Sequence, residues 1–147
     1  MTLQGVYEPS QWEWVRDQVE QYEASGGREA NVLQGRADWP IVVITSRGVT
    51  SGKLRKNPVM RVEHDGAYLA VGSKGGSPEN PAWVANFRAD PHVELQDGPE
   101  PHAYVARELD GDERAVWWDR AIAVYAPYVE YQENTDRLIP LFLLERA

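Results

Sequence analysis

The chain has 147 residues, a net charge of −8 and no cysteine. That length suits one hydrophobic core and one domain over residues 1–147, and a hydrophobic content of 42% excludes a disordered chain. The missing thiols exclude disulfides, thiolate metal ligands and a cysteine nucleophile, and the negative charge disfavours nucleic acid, whose phosphates require a broad basic face.

The first element expected is a helix. Ser10-Gln11-Trp12-Glu13 fits a capping box, with Ser10 as N-cap and Glu13 reaching back to it. Trp12, Val15, Val19 and Tyr22 follow at helical spacing as one apolar stripe, and Gly26-Gly27 ends it. Residues 1–27 therefore read as an N-terminal amphipathic helix region. Trp14 lies off the stripe and is expected to meet another element or a partner subunit, as in a homodimer. Ile41-Val42-Val43-Ile44-Thr45 is a β-branched run suited to a buried strand. Residues 47–52 form a turn, and residues 54–63 are extended because Asn57-Pro58 argues against helix. His64-Asp65-Gly66 makes a hairpin turn into a strand over 67–72, which the loop 73–78 closes.

A short helix fits residues 81–89, with Asn80 as N-cap and Pro81 at the first helical position. Strands over 92–96 and 102–109 flank a turn at Asp97-Gly98. Asp110 and Glu113 fit a second capping arrangement, opening a helix that runs to Tyr125. Pro127 breaks it and restarts a short helix ending at Glu133 or Asn134. Residues 137–144 form the last strand, which Pro140 interrupts or confines to an edge. The sum is an α+β fold of about six mainly antiparallel strands with flanking helices, closed into a compact barrel.

The N-terminus carries neither a basic leader nor an apolar stretch, and the longest apolar runs, 41–44 and 141–144, are far too short to span a bilayer. A cytoplasmic protein is expected, with peripheral membrane contact left open. His64, His92 and His102 have no ligand-like spacing, so no metal site is expected.

Three segments carry chemistry. The window between Asp38 and Glu63 has no acidic residue but holds Arg47, Lys53, Arg55, Lys56 and Arg61, one third of all the lysine and arginine. A basic island in an acidic chain reads either as a discrete anion site or as a solvated hairpin tip. Its glycines, Gly48 and Gly52, can bring backbone N–H groups close to an anion. It is not a phosphate-binding loop of the nucleoside-triphosphate kind, because Leu54 stands where a magnesium-binding hydroxyl belongs. The second segment is Gly72-Ser73-Lys74-Gly75-Gly76, a glycine loop directly after a strand, which reads as an exposed donor array or as a flexible turn. The third is Tyr125-Ala126-Pro127-Tyr128-Val129-Glu130-Tyr131. Tyr128 and Tyr131 share one helical face there, as the wall of an aromatic substrate pocket or as core packing.

The order of these segments resembles the deazaflavin-dependent nitroreductase family of actinobacteria, over most of the chain from about residue 42 to residue 144. The resemblance is carried by Thr45-Ser46-Arg47-Gly48, Ser51-Gly52-Lys53-Leu54-Arg55 and Pro58-Val59-Met60, then by Gly72-Ser73-Lys74-Gly75-Gly76, Pro81-Ala82-Trp83 with Asn86, and Ala89-Asp90-Pro91. It implies a split β-barrel, the shape of FMN-binding-protein-like chains, with residues 41–145 as the core that binds coenzyme F420. It implies that Arg47, Ser51, Gly52, Lys53 and Arg55 contact the cofactor's phosphate and glutamate tail, with Lys56 helping at the tail carboxylates. Pro58, Val59 and Met60 would lie along the deazaflavin. Ser73, Lys74, Gly75 and Gly76 would approach its ring, with Trp83 and Asn86 beside it. Tyr125, Tyr128 and Tyr131 match the family's substrate-pocket tyrosines. The implied reaction moves hydride from the reduced cofactor, F420H2, to quinones and, incidentally, to nitroaromatic compounds. Ser73, Tyr128 and Tyr131 are the candidates for contact with the acceptor during chemistry. Membrane-attached members are basic or strongly apolar at the N-terminus, whereas this chain is acidic there. An FMN- or heme-binding split barrel and a non-catalytic F420 carrier remain as alternatives.

Overall fold

The computed structural model describes residues 3–147. Its elements in chain order are α1 (Glu13–Ala24), β1 (Ile41–Arg47), β2 (Leu54–Met60), β3 (Val62–His64), β4 (Ala67–Val71), α2 (Ala82–Ala89), β5 (His92–Gln96), β6 (Pro101–Glu108), α3 (Gly111–Val124), α4 (Pro127–Glu133) and β7 (Leu141–Arg146). The strands form one curled sheet in the order β2-β1-β5-β6-β7-β4-β3. Every neighbouring pair is antiparallel.

The sheet buries both faces, which explains the unbroken apolar run of β1. One face carries Ile41, Val43, Met60, Leu69, Leu141 and Leu143 against Val15, Val19 and Tyr22 of α1 and against Trp117, Tyr125 and Tyr128 of the α3–α4 region. The other carries Val42, Ile44, Leu95, Phe142 and Leu144 against Trp83, Val84 and Phe87 of α2. Asp65 (φ 51°) and Gly66 (φ 83°) take the left-handed pair of conformations that a two-residue hairpin requires.

Four local expectations need correction. The extended stretch 54–63 divides at Arg61, whose N–H donates to the Pro40 carbonyl (2.8 Å), so it supplies two strands, and the sheet has seven rather than six. β7 lies inside the sheet, between β6 and β4, not at an edge. Pro140 stands just before β7, and its carbonyl accepts from the Gly72 N–H (2.9 Å), so its missing donor costs no ladder bond. The capping boxes do not form either. Ser10 Oγ accepts from the Trp12 N–H (3.1 Å), and the helix begins two residues later than the box requires. Glu113 instead makes a two-pronged pair with Arg107 (2.7 Å for each bond), which takes its carboxylate away from the Asp110 backbone N–H. At α2 the N-cap is Pro81, and the Asn80 side chain is taken by Arg137 (2.7 Å).

α1 is fixed to the β5–β6 turn through the buried Tyr22. Its hydroxyl donates to the Gln96 carbonyl (3.1 Å) and accepts from the Gly98 N–H (2.9 Å). Tyr22→Phe keeps the ring but strands both backbone groups. It is expected to cost about 1–3 kcal/mol and to lower the melting temperature by several degrees, read by circular dichroism.

Candidate active site

The turn after β1 is built by its own backbone. Gly48 N–H donates to the Lys53 carbonyl (2.7 Å), and Gly52 N–H to the Gly48 carbonyl (2.8 Å). Ser51 Oγ accepts from Lys53 N–H (3.1 Å). From α2, the buried Asn86 reaches this turn and accepts from Val49 N–H with its side-chain carbonyl (2.9 Å). Asn86 thus braces the turn and lines neither of the two cavities described below.

Strand alternation divides the basic island. In the β1–β2 register, Arg55, Asn57 and Val59 pair with Ser46, Ile44 and Val42, on the α2 side. Lys56, Pro58 and Met60 pair with Thr45, Val43 and Ile41, on the α1 side. Acids from other parts of the chain meet each cation. Glu8 lies 2.9 Å from Arg55 and 3.8 Å from Lys53. Lys56 pairs with Glu23, Arg61 with Asp97 (2.8 Å), and Arg47 stands 3.8 Å from Asp90.

Two cavities adjoin at the edge formed by β2. The first, about 480 Å³, is walled by Trp14, Val15 and Gln18 of α1, by residues 57–60, by Ser73, Lys74, Gly75 and Trp83, and by Tyr125, Tyr128 and Tyr131. The second, about 700 Å³, is lined by residues 8–12 and Arg55 and shares Asn57, Lys74, Pro81 and Trp83 with the first. Together they make a groove with an aromatic end and a cationic end.

The loop after β4 supplies the floor where the cavities meet. Lys74 (φ 45°), Gly75 (φ 64°) and Gly76 (φ 82°) are all left-handed. Open space lies beyond Gly75, but a Cβ on Gly76 would come within 2.8 Å of the Tyr131 carbonyl oxygen. Gly76 therefore sits beneath α4 and lets that helix approach; it does not line the groove. One guanidinium holds the loop. Arg137 donates to the carbonyls of Ser77 (2.9 Å), Gly72 (3.0 Å) and Ser73 (2.7 Å) and to the Asn80 side chain.

At the aromatic end, the hydroxyls of Tyr125 and Tyr131 are 2.8 Å apart. The Tyr125 and Tyr128 rings meet edge to face at 4.8 Å. Tyr128 is 4% exposed, and burial, reinforced by its two tyrosine neighbours, pushes its phenol well above the usual range. Burial and the bond to Tyr131 do the same for Tyr125. Both are phenols, not phenolates, at neutral pH.

The fold thus gathers Arg55, Pro58, Val59, Met60, Ser73, Lys74, Gly75, Trp83 and the three tyrosines around one groove, with Arg47, Ser51, Gly52 and Lys53 in the turn linked to it through Glu8. Lys56, Gly76 and Asn86 stand outside it. Sequence reasoning missed Glu8, Gln18, Leu33, Gln34, Asn57 and Arg137. The off-stripe position of Trp14 was the one signal pointing to the groove's outer wall, whereas Arg137 has no sequence signature.

The profile of the F420H(2)-dependent quinone reductase family matches residues 14–146. The chain belongs to that family. Its cofactor is therefore reduced coenzyme F420, and its chemistry is oxidoreduction. An F420H(2)-dependent quinone reductase of Mycobacterium tuberculosis is 30% identical over 128 residues, 85% of each chain. A solved F420-H2 dependent reductase is 51% identical, with a TM-score of 0.69 over 72% of this chain and 94% of its own. A domain-swapped dimer is 46% identical, with a TM-score of 0.71 over 90% and 98%. A heme-binding protein from Mycobacterium smegmatis, 17% identical with a TM-score of 0.57, covers 75% of this chain and 47% of its own and shares the split-barrel fold.

The groove fits F420, which joins a flat deazaflavin to an anionic phosphate and glutamate tail. The aromatic end is walled by Trp14, Trp83 and the three tyrosines, Gly75 leaves its backbone open, and Arg55 and Lys74 supply positive charge at the other end. Among the described residues, no helix is long and apolar enough to cross a membrane.

Arg137→Lys cannot reproduce four divergent contacts. Hydrogen exchange over residues 72–80 is expected to accelerate, with a stability loss of about 1.5–3 kcal/mol, while exchange in β5 and β6 stays slow.

Proposed function

We propose that this chain transfers hydride from F420H2 to quinones and accepts nitroaromatic compounds as a second acceptor class. The observation that carries this reading is the two-ended groove, with tyrosines at one end and Arg55 at the other. When bound, the cofactor supplies a hydride equivalent in a two-electron step. Arg47, Ser51, Gly52, Lys53 and Arg55 bind its phosphate and tail, and Lys56 takes a tail carboxylate on release from Glu23. Pro58, Val59, Met60 and Trp83 hold the flat ring, and Asn86 acts on the turn through Val49. The backbone of Ser73, Lys74 and Gly75 approaches the ring, and Gly76 lets α4 close over it and exclude water. The Ser73 hydroxyl donates to an acceptor oxygen. Tyr125, Tyr128 and Tyr131 wall the acceptor site, and Tyr128 and Tyr131 orient the acceptor and hold a proton for it.

Residues 1–147 act as one domain on this reading, with residues 41–145 as the cofactor-binding core and the described part of the 1–27 region as its outer wall. The chain works in the cytoplasm as a homodimer. The dimeric relative and the exposed Trp12 and Trp14 (61% and 60%) support that assembly.

Parallel titration with F420, FMN and NADPH tests the cofactor site. F420 binds most tightly, and tighter FMN binding overturns the reading. Steady-state oxidation of F420H2 by menadione then separates an enzyme from a carrier.

Tyr128→Phe conserves ring volume and removes one donor. Both kcat and kcat/KM are expected to fall about ten- to hundredfold, unequally for a quinone and a nitroaromatic, while F420 affinity holds. The rate's dependence on pH carries the same residue's signature. Because burial and its tyrosine neighbours raise the folded phenol above its usual value of about 10, Tyr128 stays protonated throughout the range below that value. The Tyr128-dependent part of the rate therefore holds level from pH 7 to about 10.

A further inference from the structure

We infer that the N-terminal segment is an anion-competing strap, in which Glu8 occupies the cations meant for the cofactor's anionic part and so sets how strongly an anion must bind to enter. The inference rests on the reading of Arg55 and Lys53 given above.

The strap is held without its carboxylate. Tyr7 pairs in parallel with Leu54 on the outer edge of β2. Leu54 N–H donates to the Val6 carbonyl (2.8 Å), and Glu8 N–H to the Leu54 carbonyl (2.9 Å). Arg47 reaches back to the Gln4 carbonyl (2.7 Å). Pro9 keeps Glu8 extended. The Glu8 side chain is thereby left to face the cationic end of the groove, where Oε1 accepts from Arg55 Nη1 (2.9 Å) and Oε2 stands 3.8 Å from Lys53 Nζ. Those two cations are the partners the described structure gives the carboxylate. Glu8 therefore touches what an incoming phosphate would touch and has no separate structural task.

Exposure makes the contact exchangeable. The side chains of Glu8, Arg55 and Lys53 are 39%, 35% and 50% exposed. Ion pairs this wet contribute little and are screened by salt. A tethered carboxylate still acts at an effective concentration in the ~millimolar range. A lone dilute anion loses to it, whereas a ligand bringing a phosphate, several carboxylates and a ring displaces it. Glu8 is thus a selectivity determinant for the anionic part of the ligand.

The test compares the whole chain with its Glu8→Gln variant, which keeps shape and backbone pairing and removes the charge. Inorganic pyrophosphate is titrated calorimetrically at low salt. The variant is expected to bind it about two- to fivefold more tightly, and the gain is expected to vanish in high salt. Equal or weaker pyrophosphate binding by the variant, or no binding by either protein, overturns the strap. F420 is titrated separately by fluorescence, beside its riboside fragment lacking phosphate and tail. The strap predicts the same gain for F420 and none for the fragment, and an equal gain for both overturns it. If F420 binds neither protein while pyrophosphate prefers the variant, the cofactor reading fails and the strap stands. If F420 binds both and pyrophosphate shows no preference, the strap fails and the cofactor reading stands.

Discussion

The guanidinium of Arg137 reaches three backbone carbonyls and one side-chain amide, all from the segment between β4 and α2. That segment leaves the sheet at Gly72, where a Cβ would lie 2.9 Å from Val84, and then runs through three left-handed residues. A chain so bent exposes carbonyls that no ladder can satisfy, and leaving them unpaired in a partly buried place is costly. The planar fork of one arginine meets them together, and a lysine ammonium has no matching geometry. Ser73, Lys74 and Gly75 are placed by this contact. So is α4, which rests on Gly76 and carries Tyr128 and Tyr131. The aromatic end of the groove is therefore only as well ordered as a residue that lines neither cavity.

Charge at the other end is arranged by opposition. A window without acids in sequence is surrounded by acids in space: Glu8 from the N-terminal segment, Glu23 from α1, Asp90 after α2 and Asp97 after β5. The island is consequently not a field of free positive charge. It is a row of ion pairs, of which those of Glu8 with Lys53 and Arg55 are the most exposed to solvent. This reconciles a net charge of −8 with an anionic cofactor.

Much of this was legible in the sequence, for identifiable reasons. The β-branched run of β1, the Asp65-Gly66 turn and the α4 tyrosines follow from periodicity and turn chemistry, which act over a few residues. The motif order around Arg47, Ser73 and Trp83 carried the family. What escaped were features fixed at long range. Pro140 looked like an edge marker because a proline cannot show on which side of a strand boundary it falls. Ser10 with Glu13 and Asp110 with Glu113 had the spacing of capping boxes, but tertiary partners claimed Glu113, and α1 started late. Lys56 and Arg55 are adjacent in sequence and opposite in direction, a consequence of pleating that became visible once the strand's faces were known. Glu8 and Arg137 act across 47 and 57–65 residues, beyond any local pattern.

The place of β7 between β6 and β4 has a consequence for how the protein comes into being. Ribosomes deliver residues in order, and β7 is the last strand in that order although it lies inside the sheet. Until it emerges, β6 and β4 each present a bare edge, and the strands on either side have nothing to join them. Bare edges are adhesive, and a nascent chain waiting for its joining strand can accept the equivalent strand from a neighbour on the same messenger. A topology that completes itself with its final strand thus leaves the two parts of its sheet unjoined until residues 141–146 are in place.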